Sequence, residues 1–255
     1  HADSYRKIRN TFRYLLGNLN DNFEKIDLEK INLSELPELE QFMLHKMYSL
    51  NKKFKNYFKN YDFHNLYKEL LNFCTVDLSA LYFDIRKDAL YCDELDSQKR
   101  KSTIILLNII LNALLKWFAP ILSFTTEEIF KLISKNDKSI HLEKFFQFPE
   151  SFKNDSLNEK WQDCIKIRNI CNISIEEKRA NKEIGSSLEA ELKINLNEKF
   201  NEVTKNIDFS ELCITSKAIV FFSKTNQVEV NTIKAKGSKC PVCWKINEEP
   251  CPRHS

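Results

Sequence analysis

Hydrophobic side chains recur at helical spacing along residues 1–135. In the first run they form one face, made by Ile8, Phe12, Leu15, Leu16 and Leu19. A second run with the same period occupies residues 39–58. Amphipathic helices of this length, joined by short connections, are typical of an antiparallel helical bundle, which is the architecture predicted for this region.

Short polar signals predict where further helices begin. Asp62 has the side chain of an N-cap and predicts a third helix directly after it. A fourth helix is predicted from near Asp77, and residues 97–120 predict a long apolar helix. Thr125 and Glu128 have capping-box spacing, which predicts the N-terminus of the next helix.

The segment 104–122 approaches the length of a membrane span. Four residues that are polar or break helices cross it at intervals of four: Asn108, Asn112, Lys116 and Pro120. They form one stripe on an otherwise apolar helix. We therefore predict the central helix of a soluble bundle and no membrane association.

The pattern changes after Pro149. Residues 157–183 predict one more helix, with Gly185 as its C-terminal stop. Alternating apolar positions then predict three strands, around residues 192–196, 218–222 and 228–233. A short helix is expected after the first strand. This order of elements predicts a small α+β domain.

The last sixteen residues hold four soft metal ligands in two pairs, Cys240 with Cys243 and Cys251 with His254. A C-x2-C pair places two sulfurs at one turn, and the second pair supplies the other two corners of a tetrahedral site. This tail has too few apolar residues to fold without a bound metal ion or another cross-link. We predict one structural zinc ion. The alternatives are a reduced tail without metal and adventitious disulfides.

The predicted fold is therefore mainly α. It consists of an antiparallel helical bundle in residues 1–150, a small α+β junction domain in residues 151–235 and a C-terminal zinc knuckle in residues 236–255. A hydrophobic fraction of 42% is sufficient for a core in a chain of 255 residues.

Composition and motifs give no sign of a catalytic site. The net charge of +3 does not by itself indicate a nucleic-acid binder. There is no Gly-rich phosphate loop, no H-E-x-x-H helix and no G-x-S-x-G elbow. Three histidines, isolated from other chemistry-bearing residues, are expected to be ordinary surface or hydrogen-bonded side chains: His45, His64 and His141.

Five further cysteines lie among apolar residues without paired spacing: Cys74, Cys92, Cys164, Cys171 and Cys213. We interpret them as reduced thiols, and no signal peptide is recognisable. A cytoplasmic protein is expected.

Segments spread along the chain carry a family resemblance. They are Tyr5-Arg-Lys-Ile-Arg-Asn-Thr11, Asp77-Leu-Ser-Ala80, Pro120-Ile-Leu122, Thr126-Glu-Glu128 and, most specifically, Lys182-Glu-Ile-Gly-Ser-Ser-Leu-Glu-Ala190. With them the chain resembles the C-terminal part of a bacterial isoleucyl-tRNA synthetase. The bundle motifs also occur in valyl and leucyl relatives, and their combination with the zinc tail points to isoleucine.

The resemblance implies that the bundle and the zinc tail grip the anticodon stem and loop of isoleucine tRNA. In the family, the nucleotide-binding fold, its ATP signatures and the editing domain lie upstream of these segments. A fragment without catalytic residues is therefore expected, from an isoleucine–tRNA ligase that uses ATP to join isoleucine to tRNA. The expected partners are isoleucine tRNA and the upstream catalytic domains of the same chain, in a monomer.

The metal ligands differ from the usual family pattern. The family closes its zinc site with a second C-x2-C pair, whereas here the fourth ligand would be His254, and the gap between the pairs is shorter. Because histidine is an equally good zinc ligand, coordination is expected to persist.

Aromatic and basic residues of the tail are candidates for RNA contacts. Trp244 follows the second cysteine and could stack on an anticodon base, or it could cover the zinc site. Three basic residues surround it in the sequence and could reach phosphates: Lys239, Lys245 and Arg253.

Basic residues of the bundle have two interpretations. Arg6, Arg9 and Arg13 project from one flank of the first helix and are candidates for phosphate contacts, or for ion pairs with a neighbouring helix. The lysines opposite the apolar stripe of the second helix are interpreted as a solvated face: Lys52, Lys55 and Lys59.

Arg168 falls on the apolar side of its helix, and a buried arginine needs a partner. We expect that partner to be Glu189 or another acid in residues 184–190, in a structural role.

A different class of function stays open from the residues alone, namely a free-standing zinc-containing RNA-binding or scaffold protein. The corresponding region of a valyl- or leucyl-type synthetase is a further alternative.

Overall fold

The computed structural model of the chain describes residues 2–19, 23–24, 26–134 and 138–254. The chain forms two compact units, His1–Asp155 and Ser156–Ser255. We call the first the helical unit and the second the α+β unit. The mainly α fold predicted from the sequence is confirmed, and each unit is described by itself.

The described part of the helical unit contains six α-helices: α1 (Ala2–Leu19), α2 (Glu38–Lys59), α3 (Phe63–Asn72), α4 (Asp84–Cys92), α5 (Gln98–Phe118) and α6 (Ser123–Ile133). Short 3₁₀ turns lie in its connections, at Leu28–Lys30, Leu33–Glu35, Ile140–Leu142 and Glu150–Phe152. The apolar face predicted for α1 is buried at Ile8, Phe12, Leu15 and Leu19.

Helix α5 forms much of the core of this unit. It is long and apolar enough to cross a membrane by length and composition, and 72% of its most apolar stretch is buried inside the protein. Its polar stripe has partners within the unit, because Asn108 accepts a hydrogen bond of 2.8 Å from the backbone N–H of Glu24. The ammonium of Lys116 lies 3.4 Å from the carboxylate of Glu143. These partners allow polar side chains to lie within the bundle.

The predicted start of a fourth helix at Asp77 is wrong. Helix α3 continues without a break through a π-helical segment, Phe73–Phe83, into α4. Asp77 does not cap a helix, because its buried carboxylate forms an ion pair with Lys46. Asp62, in contrast, caps α3 as predicted, since its side chain accepts a hydrogen bond from the backbone N–H of Asn65.

The capping box predicted at Thr125 and Glu128 is also wrong. Helix α6 begins at Ser123, so both residues lie inside it. The hydroxyl of Thr125 is hydrogen-bonded instead to the hydroxyl of Tyr5, at 2.9 Å. The hydroxyl of Thr125, which the sequence pattern assigned to helix capping, therefore forms a long-range hydrogen bond to α1.

The α+β unit begins with the long helix α7 (Asp155–Ala180). Its strands are β1 (Ala190–Asn197), β2 (Lys217–Ser223), β3 (Glu229–Lys234), β4 (Ser238–Lys239) and β5 (Ile246–Asn247). The short helices α8 (Asn201–Thr204) and α9 (Phe209–Leu212) separate β1 from β2, with 3₁₀ turns at Ser187–Glu189 and Glu198–Phe200.

Strand β1 lies in the centre of a three-stranded sheet of order β2-β1-β3. It pairs in parallel with β2, where Leu192 is opposite Ala218, and antiparallel with β3, where Leu192 is opposite Thr232. Its alternating residues Ala190, Leu192, Ile194 and Leu196 are fully buried. Helix α7 contacts β3 through a hydrogen bond of 2.7 Å between the hydroxyls of Ser174 and Thr232. The period-two pattern of the sequence thus predicts the buried face of the sheet correctly.

Helix α7 ends at Ala180, three residues before the predicted end. The residue with left-handed backbone after this end is Lys182, with φ 60°, so the assignment of Gly185 as the stop is wrong. The N–H of Glu183 donates to the carbonyl of Lys178 at 3.0 Å, which closes the last turn.

Arg168 is buried as predicted, but the expected acidic partner Glu189 is wrong. The Nε of Arg168 donates to the backbone carbonyl of Leu212 at 2.8 Å. The carboxylate of Glu189 accepts from the N–H of Gly185 at 3.0 Å. Arg168 therefore fastens α7 to the end of α9.

Candidate metal centre and nucleic-acid interface

Four ligand side chains converge in residues 238–254, which we call the metal knuckle. One atom from each of Cys240, Cys243, Cys251 and His254 lies within 4.8 Å of the others. The Sγ atoms of Cys243 and Cys251 are 3.8 Å apart. The Nδ1 of His254 lies 3.6 Å from the Sγ of Cys240 and 3.4 Å from the Sγ of Cys251. The two sequence pairs therefore close on a single point.

Backbone hydrogen bonds hold the knuckle in this shape. The N–H of Cys240 donates to the carbonyl of Lys245 at 2.9 Å, and the N–H of Trp244 donates to the carbonyl of Cys240 at 3.1 Å. Strands β4 and β5 pair antiparallel, with Lys239 opposite Ile246. The hairpin thereby brings both cysteines of the first pair to one turn.

Gly237 is required at the entrance to the hairpin. Its φ of +115° lies in the region that favours glycine, and a Cβ at this position would be 2.0 Å from the backbone oxygen of Asn247. No other residue type fits there without moving β5.

The local electrostatics favour metal binding. Hydrogen bonds within the knuckle, the strongest from the backbone N–H of Cys243, lower the pKa of the Cys240 thiol to about 6, and the thiolate is the form that binds metals. All eight cysteines of the chain are free in this structure, and the 3.8 Å between the Sγ atoms of Cys243 and Cys251 is longer than a disulfide bond. The cluster could hold one four-coordinate metal ion.

Trp244 projects from the knuckle into solvent. Its side chain is 58% exposed, and its backbone is left-handed with φ 64°. The Nζ of Lys239 lies 5.2 Å from the ring centroid, within the range of a cation–π contact. The structure therefore brings together Trp244 and Lys239 among the predicted RNA-binding residues of the tail. Lys245 is half-buried and Arg253 is exposed.

The three arginines of α1 are exposed. Arg6 lies 3.9 Å from Asp3, and Arg9 lies 3.8 Å from Glu128 of α6. Arg9 also donates to the hydroxyl of Tyr5 at 3.3 Å. These contacts are long and solvated, so they hold the guanidinium groups weakly. Arg13 lies on the same helix and is exposed as well.

The isolated histidines behave as expected. His45 is buried, and its Nδ1 accepts a hydrogen bond of 2.8 Å from the backbone N–H of Asn154. His64 and His141 are exposed. In the described ranges, the cluster in the knuckle is the one group of His, Cys, Asp and Glu side chains arranged for a metal.

Ser216 holds the knuckle through a hydrogen bond, a role that the sequence pattern did not predict. Its Oγ accepts a hydrogen bond of 2.6 Å from the backbone N–H of Ile246 in β5. The same hydroxyl donates to the backbone carbonyl of Leu188. No spacing pattern connects a serine before β2 with a hairpin thirty residues later, because the contact depends on the fold.

Comparison with known proteins gives consistent matches. Residues 40–194 match the family of the anticodon-binding domain of tRNA ligase. Over all 255 residues the chain is 70% identical to the isoleucine–tRNA ligase of Pelagibacter ubique (strain HTCC1062), of which it covers 28%. It is 37% identical to the isoleucine–tRNA ligases of Agrobacterium fabrum (strain C58) and Brucella abortus (strain 2308), over 98% of this chain and 26% of each of those proteins. The chain thus spans about a quarter of the length of the curated relatives it matches.

Proposed function

Since this chain belongs to the family of anticodon-binding domains of tRNA ligases, we propose that it is the tRNA-binding C-terminal part of an isoleucine–tRNA ligase. The observation that carries this proposal is the 70% identity to one such ligase over the whole chain. The intact enzyme would use ATP to join isoleucine to its tRNA, with catalytic and editing domains elsewhere in the same polypeptide. The role of this part is to hold the anticodon stem and loop.

The exposed face of the knuckle supports an RNA-binding role. A large part of the Trp244 ring is open to solvent, and base stacking needs an accessible aromatic face. Lys239 adds a positive charge beside the ring, and Lys245 and Arg253 lie in the same knuckle. We assign base stacking to Trp244 and phosphate contacts to the three basic residues.

The exposed arginines of α1 are the matching candidates in the helical unit. Arg6, Arg9 and Arg13 are exposed on one helix, where Arg6 and Arg9 form long, solvated ion pairs and Arg9 also donates a weak hydrogen bond to Tyr5. A guanidinium group donates two parallel hydrogen bonds to phosphate oxygens. We assign these three residues to the sugar–phosphate backbone of the tRNA.

The ligand distances support zinc as the metal of the knuckle. With Zn–S bonds of about 2.3 Å and a Zn–N bond of about 2.0 Å, a tetrahedron has edges of about 3.8 Å between sulfurs and about 3.5 Å between sulfur and nitrogen. Three of the six ligand–ligand distances here are 3.8 Å, 3.6 Å and 3.4 Å, and all six are within 4.8 Å. Four protein ligands leave no open position, which makes the proposed zinc structural.

We assign the protein to the cytoplasm and expect it to act as a monomer. Five cysteines outside the metal knuckle lie among apolar residues without paired spacing, which is typical of reduced thiols in a reducing compartment.

Direct binding tests the proposed function. The 255-residue chain should bind isoleucine tRNA, and its affinity should fall steeply as salt is raised, because phosphate contacts dominate. Fluorescence anisotropy with labelled isoleucine tRNA, and with a fully paired RNA duplex of similar length as control, measures this. Equal or absent affinity for the two RNAs would overturn the proposal.

A further inference from the structure

An aromatic residue projects from the turn between α2 and α3. The side chain of Tyr61 is 81% exposed, and its backbone is left-handed with φ 56°. Its N–H donates to the carbonyl of Phe58 at 3.2 Å, and the N–H of Asp62 donates to the carbonyl of Tyr57 at 2.9 Å. Helix ends with this hydrogen-bond pattern usually place glycine at the left-handed position, because a Cβ there costs free energy.

Three further aromatic rings lie beneath and beside Tyr61. Its ring centroid is 6.4 Å from that of Phe63, which is 6.1 Å from that of Phe58. Phe58 in turn lies 5.2 Å from Phe145, and all these contacts are edge-to-face. We call these four residues the aromatic tip. Phe58 and Phe145 are half-buried and form the part of the aromatic tip that packs against the protein, while most of Tyr61 faces solvent.

Two lysines flank Phe58 of the aromatic tip along α2, and neither forms an ion pair with a residue that the structure describes. Lys55 and Lys59 are one helical turn apart on α2, where Lys55 precedes Phe58 by three residues and Lys59 follows it directly. The ammonium of Lys55 donates to the neutral amide oxygen of Gln147 at 2.7 Å. Lys59 is exposed and has no ion pair or hydrogen bond from its side chain to any residue that the structure describes.

Other lysines of the same helix differ in this respect. Lys52 lies 3.2 Å from Glu150, and Lys53 lies 3.4 Å from Glu69. The acid nearest to Tyr61 in the sequence, Asp62, uses its carboxylate to cap α3. The carboxylate of Asp62 keeps its negative charge in this cap, but Lys55 and Lys59 form no ion pair with it or with another residue that the structure describes.

We propose that the aromatic tip is a second base-stacking site, at which Tyr61 stacks on an unpaired base of the tRNA while Lys55 and Lys59 contact the flanking phosphates. This inference rests on the proposed function. An exposed aromatic ring with neighbouring cations is the arrangement that holds single-stranded nucleic acid. A protein partner would need a wider apolar surface than the exposed ring of Tyr61 and the three partly covered phenylalanine rings provide.

Tyr61→Gly separates the RNA-binding role from a structural one. Glycine suits the left-handed position, so the thermal midpoint of the chain should stay the same or rise. The affinity of the 255-residue chain for isoleucine tRNA should fall roughly tenfold to a hundredfold, because base stacking is lost. Tyr61→Phe should retain wild-type affinity, since the ring carries the contact. Tyr91→Ala removes another exposed aromatic, on α4 next to acidic residues, and should not change the affinity.

The lysines give an independent readout. Lys59→Gln should make the plot of log affinity against log salt concentration less steep by about one unit of slope, because one phosphate contact is lost. Tyr61→Gly should leave the steepness unchanged. Unchanged tRNA affinity in both Tyr61→Gly and Lys59→Gln overturns the inference while leaving the proposed function intact. Failure of the wild-type chain to bind isoleucine tRNA would instead overturn the proposed function. A lower thermal midpoint in Tyr61→Gly, with no change in RNA affinity, would show that the tyrosine only packs.

Discussion

Arg86 donates two hydrogen bonds to the carboxylate of Glu40 inside the helical unit, from Nε to Oε1 and from Nη2 to Oε2, each at 2.6 Å. Both side chains are almost completely buried. The hydroxyl of Tyr82 adds a third hydrogen bond to Glu40, at 3.0 Å. Together they link α2 to the continuous helix that contains α4.

Removing one partner of this pair should be costly. Arg86→Met leaves the Glu40 carboxylate buried without a positive charge, and we expect a loss of about 3–5 kcal/mol in the free energy of unfolding. Chemical denaturation followed by the fluorescence of the buried Trp117 measures this loss. The double variant Glu40→Leu/Arg86→Met should lose less than the single variant. Lys87→Ala, which breaks an exposed ion pair with Asp84, should change stability little.

The helical unit should become less stable in mild acid because of His45. Burial lowers the pKa of His45 below its usual 6.5, and its Nδ1 must stay unprotonated to accept the hydrogen bond from Asn154. The unfolded chain therefore binds the proton more readily than the folded one. The contribution of His45 is fully present above about pH 6.5 and is lost as the pH falls below it.

The difference between wild type and His45→Gln isolates this effect from the titration of carboxylates. Between about pH 8 and about pH 5.5, the wild type should lose more free energy of unfolding than the variant. An NMR titration of the imidazole provides the direct control. A pKa of 6.5 or higher for His45 in the folded protein would contradict the prediction.

The purified chain should carry about one zinc ion, and the ion should depend on all four ligands of the knuckle. Metal analysis by mass spectrometry should find it in the wild type and in Cys92→Ser, a cysteine outside the knuckle. Cys240→Ser and His254→Ala should lose it. A chelator should leave most of the helical circular dichroism in place, because the helical unit has its own core. Equal zinc content in all four proteins would show that the ligands are assigned wrongly.

In the intact ligase, Trp244→Ala should affect tRNA charging and spare amino acid activation. We expect kcat/KM for tRNA to fall roughly tenfold to a hundredfold, the equivalent of about 1–3 kcal/mol of base stacking. Isoleucine-dependent ATP–pyrophosphate exchange, which needs no tRNA, should remain near wild type. Val242→Ala, a half-exposed residue of the same knuckle, serves as the matched control. A parallel fall in charging and exchange would mean that Trp244 supports the fold.

Gly237→Ala should weaken the metal knuckle although Gly237 is not a ligand. The added methyl group would overlap the backbone oxygen of Asn247, and the left-handed backbone adds strain. We expect zinc affinity, measured by competition with a chromophoric chelator, to fall by at least about tenfold. Gly17→Ala on α1 should not change it, because a Cβ there meets nothing within 4 Å.

The elements with strong local signals could be predicted from the sequence. The apolar face of α1, the cap at Asp62 and the alternation from Leu192 to Leu196 depend on residues close in the chain, and all are observed. The four metal ligands also converge as their spacing predicts. In each case the physical cause lies within a few turns of helix or one hairpin.

Three of the wrong predictions share a different cause. Thr125 is held by Tyr5, Asp77 by Lys46, and Arg168 by the carbonyl of Leu212. Each of these partners lies more than thirty residues away, so a local pattern could not reveal it. Tertiary contacts decided the role of these polar side chains, as is usual where a polar group is buried.

The hydroxyl of Ser216 has a consequence for how the α+β unit opens. It accepts from the N–H of Ile246 and donates to the carbonyl of Leu188, while its own N–H donates to the carbonyl of Ala190. The metal knuckle and the turn before β1 thus bind the same hydroxyl, and when either moves away from Ser216 the hydroxyl that also holds the other loses one of its two hydrogen bonds. Local opening should therefore be cooperative, so that losing the ion accelerates amide hydrogen exchange at Ile246 and in residues 187–190 together.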